Sequence, residues 1–189
     1  MESRWKKVLV TGWLTIGLCL SAIPQVASSE PVRAGRMLET IARAYPTPEQ
    51  LALFLHKNVF FQEDVRLFGL ADYWQDPEEF LDRRKGDCED YALLAQAVLL
   101  HQGQEAFVFS LYGEQGYAHT VCVFVEKGCY NVINQDRVIR YHAKSLEDLA
   151  TYLYPQWNWG AVAERVGHRG RAIREIYNHN TVDWGKVSH

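Results

Sequence analysis

Residues 85–91 read Lys85-Gly86-Asp87-Cys88-Glu89-Asp90-Tyr91, KGDCEDY, a thiol set among three carboxylates where a long apolar run begins. Asp87 is a natural N-cap and Gly103 a natural stop, so the stretch predicts a helix from about Cys88 to Gln102. Within it Cys88, Ala92, Ala95 and Leu99 recur at helical spacing. They form one stripe, small near the cysteine, that lets a helix sit close against a sheet. At the first helical position the sulfur lies in the positive end of the helix dipole, which favours a thiolate. Neighbouring carboxylates oppose that. The expected resolution is that the cap engages Asp87, that Glu89 and Asp90 point around the helix rather than at the sulfur, and that a bound cation neutralises what remains. The bland alternative is a buried, inert cysteine at a helix start.

Outward from this helix, the C-terminal side reads as strands near Ala106–Tyr112, Tyr117–Glu126, Cys129–Gln135 and Arg137–Tyr141, with Lys127-Gly128 as a tight hairpin turn. In that register Cys122 faces Ile133, Asn134 lies opposite Val121 and Asp136 opposite His119. His119 alternates with Val121, Val123 and Val125 on a face that must be buried, so Asn134 and Asp136 compete to orient its ring. A thiol on a helix N-terminus, a histidine on a facing strand and an amide or carboxylate beside it fill the roles of nucleophile, base and orienter. On the N-terminal side, helices are expected near Arg33–Arg43, from Pro48 after the capping sequence Thr47-Pro48-Glu49-Gln50, and over Pro77–Arg84. A further helix near Leu146–Tyr154 precedes Trp157, Asn158 and Trp159, and residues 166–189 read as a polar tail. Helices first and strands after make the fold class α+β.

The chain has 189 residues, 48% of them hydrophobic, enough for one core and hardly two. Arg4, Lys6 and Lys7 precede an apolar run from Val8 to Ile23 and the small residues Val26-Ala27-Ser28-Ser29, the order of a secretory signal peptide over residues 1–29. An uncleaved signal anchor is the competing reading, although the run is slightly short of a membrane span. Cleavage would leave 17 basic against 22 acidic side chains, a balance without the footprint of a nucleic-acid binder, and no second run could span a bilayer. The expectation is a soluble exported protein, periplasmic or secreted, with its domain over residues 30–165. Cys88, Cys122 and Cys129 then remain, an odd number for an oxidising compartment. The hairpin register holds Cys122 and Cys129 about 13 Å apart at ~3.3 Å per residue, beyond disulfide reach.

Two stretches, Ala71-Asp72-Tyr73-Trp74-Gln75-Asp76-Pro77-Glu78-Glu79-Phe80-Leu81 and Gly86-Asp87-Cys88-Glu89-Asp90-Tyr91-Ala92, resemble the signature of bacterial transglutaminase-like cysteine peptidases. The resemblance runs from about Leu51 through Val132-Ile133-Asn134-Gln135 and takes in Asn58-Val59 and the aromatics before Glu63-Asp64. It implies a papain-like core with N-terminal helices, the nucleophile helix packed on an antiparallel sheet, and a Cys-His-Asp triad, in a family that includes periplasmic proteases clipping biofilm adhesins. Matched by motif, Cys88 is the nucleophile and His119 the base. The family's Leu-Asp-Asn falls on Ile133-Asn134-Gln135, so this chain carries Asn134 where the family has Asp; papain-like enzymes use Asn in that role. Several adhesin-clipping members depend on calcium, held by carboxylates that match Asp87, Glu89 and Asp90, and hard oxygen ligands suit that ion. The expectation is an exported thiol peptidase acting on a protein or peptide. The alternatives are transglutaminase-type transfer to an amine and a catalytically silent binding module.

Overall fold

The computed structural model describes residues 30–165 and 171–178; the expected leader, residues 1–29, lies outside the described residues. The chain is α+β, as expected. Helices α1 (Glu30–Ala44), α2 (Pro48–Asn58), α3 (Asp64–Leu67), α4 (Pro77–Arg83) and α5 (Cys88–His101) come first, interrupted by the two-residue strands β1 (Phe60–Phe61) and β2 (Lys85–Gly86). Strands β3 (Ala106–Gly113), β4 (Ala118–Glu126), β5 (Cys129–Asn134) and β6 (Arg137–Ala143) follow, then α6 (Leu146–Leu153), β7 (Trp157–Arg165) and β8 (Arg171–Asn178).

Local chemistry explains the boundaries. Thr47 caps α2 by accepting the Gln50 N–H at 3.3 Å, with Pro48 in the first turn. Lys127 and Gly128 both take positive φ, 54° and 70°, the pair a two-residue hairpin turn demands between Glu126 and Cys129. Gly103 takes φ 75° just past α5 and ends it.

Strands β3 to β8 form one antiparallel sheet in the order β6-β5-β4-β3-β7-β8. The expected β4–β5 register holds, with Cys122 opposite Ile133. Helix α5 packs lengthwise on the sheet, and its stripe of Ala92, Ala95 and Leu99 is buried with Val108, Cys122, Phe124 and Ile133 in the core on that side. The opposite face buries Val121, Val123, Val132 and Trp157 against α6. Both faces of β4 are therefore covered, where the sequence suggested one. Cys88, Cys122 and Cys129 are free thiols, as the register required.

Two expectations are corrected. Residues 171–178, read as part of a polar tail, form the edge strand β8 paired with β7; a register shift between Val162 and Ala163 breaks the alternation that would have announced the pair. Strand β5 ends at Asn134 rather than Gln135. Gln135 takes φ 53° and the chain reverses so that Asn134 pairs with Arg137.

Candidate active site

The KGDC segment is held by an unusual short ladder. Arg84 ends α4 in the left-handed region at φ 57°, and β2 then runs parallel to β1, with Phe60 N–H donating to Arg84 O at 2.9 Å and Gln62 N–H to Gly86 O at 2.8 Å. Behind it lies a buried polar pair. Gln75 is fully buried and donates its backbone N–H and its Nε2 to the Asp90 carboxylate at 2.8 and 2.6 Å, and Nε2 also reaches Lys85 O at 2.9 Å. Asp90 accepts the Asp87 N–H at 3.2 Å as well, closing the capping box that starts α5 at Cys88. A side chain at Gly86 would collide with this pair, the Gln75 Nε2 lying 2.6 Å from where a Cβ would stand.

His119 lies near the start of β4, half-buried, and its Nε2 is 2.9 Å from Asn134 Oδ1. With that oxygen accepting, Nε2 carries the ring proton and Nδ1 presents its lone pair. Asp136 does not reach the ring. The reversal at Gln135 carries it toward α2, where its carboxylate meets His56 Nδ1 at 2.7 Å. Of the two candidate orienters, Asn134 is therefore the one in contact with His119.

The Cys88 sulfur lies near β4 one residue from the histidine, where the Thr120 backbone favours the thiolate. Ladder pairing of β5 with β4 stops just before this point, at Cys122–Ile133. Among the described residues the side-chain partner of the thiol is not His119 but Glu89, whose Oε2 accepts at 3.2 Å. This corrects the expectation that Glu89 turns away from the sulfur. Only 6% exposed, Glu89 has the adjacent thiol and the carboxyls of Asp87, Asp64 and Asp72 around it. Burial first, then the carboxylates of Glu89 and Asp87, push the Cys88 thiol well above its ordinary range.

The acid cluster is larger than the sequence suggested. Asp64 and Asp72 join Asp87, Glu89 and Asp90, and ligand-type oxygens of Asp64, Asp87 and Asp90, and of Asp64, Asp72 and Glu89, gather within 4.8 Å of one another. Burial raises the Asp64 carboxyl to about 6, Asp90 to about 7 and Glu89 to about 10, with Asp87 adding to each. Among the described residues no lysine or arginine pairs with Asp64, Asp87, Glu89 or Asp90, and Asp64 Oδ1 and Asp87 Oδ1 are buried without a hydrogen-bond partner. Buried acids left in this way fit a hard divalent cation. Of the three acids picked from sequence, Asp90 accepts three N–H bonds, whereas Asp87, like Asp64, keeps one buried oxygen without any. The pattern around Cys88 does not reveal Asp64 or Asp72, because they reach the cluster from the start of α3 and from the segment before α4.

Residues 38–152 match the family model described as a transglutaminase-like domain. The human centrosomal protein of 76 kDa is 40% identical over 88 residues, 45% of this chain and 12% of that protein, so the chain spans about an eighth of this relative's length. Calcium-bound LapG of Legionella pneumophila superposes with a TM-score of 0.47 at 17% identity, over 75% of this chain and 76% of that one. A TGase crystal structure superposes with a TM-score of 0.46 at 10% identity, over 61% of this chain and 34% of the other.

Proposed function

This chain belongs to the transglutaminase-like domain family, and we propose from that premise that it is an exported thiol-dependent peptidase acting through Cys88, His119 and Asn134. The observation that carries the reading is the 2.9 Å His119–Asn134 bond, which holds the ring on β4 beside the strand backbone near the Cys88 sulfur. In the first half-reaction His119 Nδ1 takes the thiol proton, the sulfur forms a bond to the substrate carbonyl carbon, and the carbonyl π pair moves onto oxygen. The Cys88 N–H at the start of α5 helps hold that oxyanion. Collapse breaks the C–N bond, and the amine leaves with the proton from His119. Water then attacks the thioester, giving its proton through His119 to the departing sulfur, and the carboxylic acid is released. Asn134 keeps Nε2 occupied and the ring in register throughout.

Asp64, Asp87 and Glu89 would hold a divalent cation such as calcium, with Asp72 and Asp90 around them. Such a cation supplies positive charge next to the thiolate and offsets the acids that oppose it. The export assignment rests on the leader-like residues 1–29.

The hydrogen bond from the thiol to Glu89 favours a second reading, a catalytically silent binding module. A peptide library incubated with the protein and calcium separates the two: new peptide ends, absent with Cys88→Ser, establish hydrolysis. Incorporation of an added primary amine in their place establishes acyl transfer, and neither product with wild type leaves the silent module.

A further inference from the structure

We propose that the stacked rings of Tyr112 and Trp159 form a shelf that receives an aromatic side chain of the peptide substrate, two or three residues from the bond attacked by Cys88. This rests on the peptidase reading above and names what that site selects.

The rings are parallel within 10° and their centroids are 3.7 Å apart. They come from residues directly opposite each other on β3 and β7, and Tyr112 faces Ala118 of β4 on its other side. By strand alternation Tyr112 shares a sheet face with Ser110 and Val108, and Ala118 shares it with Thr120 and Cys122. Val108 and Cys122 pack against α5, so the shelf is on the α5 side of the sheet; His119, paired with Leu111, points by the same alternation toward the α6 side, so a peptide that meets both crosses the start of β4.

Helix α5 does not cover it. Cys88, at its N-terminus, lies near the Thr120 backbone, and further along the helix Gln96 Nε2 donates to Ala106 O at 3.5 Å. The helix thus runs from the Ser110–Thr120 rung toward the Ala106–Phe124 rung. The Tyr112–Ala118 rung lies beyond its start. There Tyr112 and Trp159 are half-exposed, whereas Trp157 is 1% exposed in the α6 core.

The ground between thiol and shelf is low. Ser110 and Thr120 are buried and spend their hydroxyls on each other at 2.9 Å, and Ala118 offers only a methyl group. Two residues along β4 and one and a half strands across put the stack on the order of 10 Å from Thr120, about three residues of extended peptide. An aromatic side chain stacks on such rings with little loss of conformational freedom.

The test uses peptidyl acyloxymethyl ketones identical except for Phe or Ala at the second or third residue, with Cys88 alkylation read by mass spectrometry in calcium. With wild type, Phe at one position should label about tenfold faster than Ala. That ratio should fall to about two or less in Trp159→Ala and in Tyr112→Ala and persist in Trp159→Phe, which keeps a planar ring. A wild-type ratio near one, or a ratio kept in both alanine variants, overturns the shelf. A second arm measures fluorescent Phe- and Ala-containing peptides binding to Cys88→Ser, which needs no reactive thiol. Tighter Phe binding that is lost with Trp159→Ala upholds the shelf even if Cys88 proves inert, and equal affinities overturn it.

Discussion

Gly86 has no room for a side chain. The buried Gln75–Asp90 pair occupies the space a Cβ would need, so Gly86→Ala must push apart hydrogen bonds that position the first turn of α5. Thermal unfolding should show Gly86→Ala lowered by several degrees, in line with overpacking costs of ~1–3 kcal/mol. Three residues on, Glu89 accepts a hydrogen bond from the Cys88 thiol. Replacing it with glutamine removes a carboxyl group whose ionisation opposes the thiolate and changes the acceptor that the thiol proton points to. In chelator, Glu89→Gln should therefore alkylate at Cys88 several-fold faster than wild type, and calcium should no longer accelerate it. The place of Cys88 at the start of α5 and of His119 on β4 was legible from the sequence. That Glu89 folds back onto the sulfur was not, because it depends on how deeply the α5 start is buried, which no local pattern records.

At the scale of elements, the β4–β5 hairpin could be read from Lys127-Gly128 and the alternation around it, and with it the placement of Asn134 near His119. The next turn could not. Gln135 adopts a positive φ without a glycine to signal it, and this sends Asp136 to His56 on α2 instead of to His119. The two residues should separate cleanly by mutation. Asn134→Ala should slow peptide turnover roughly 10- to 100-fold by freeing the ring, and Asn134→Asp should keep or raise it. Asp136→Ala should leave turnover within about twofold and cost ~1 kcal/mol or less, the usual worth of an exposed pair. The edge strand β8 escaped for a related reason, since the extra residue Arg174 bulges it between Ile173 and Glu175 and breaks the period of two on which strand reading depends.

Across the whole molecule, the dominant unresolved charge is the carboxylate cluster between the α3 loop and the α5 start. Asp64 and Asp90 bind protons more tightly folded than unfolded. The stability this gives is full below about pH 4 and is lost as pH rises through the raised values near 6 and 7. Without divalent cation the melting temperature should thus decline from pH 4 to pH 7. Calcium should raise it at pH 7 and much less at pH 5, where protons compete for the same oxygens. A melting profile that ignores calcium at both pH values would count against the cation site while leaving the thiol's role open.

The nucleophile itself is tested most directly by competitive alkylation with iodoacetamide at neutral pH in calcium, quantified at each cysteine. Cys122 is fully buried and Cys129 nearly so, and among the described residues neither sulfur has an imidazole partner, Cys129 accepting from Lys144 Nζ at 3.0 Å instead. Cys88 should react at least about tenfold faster than either, and His119→Ala should abolish that lead. Equal rates at the three thiols, or a Cys88 rate untouched by His119→Ala in a folded protein, would contradict the assignment of Cys88 and His119 as nucleophile and base.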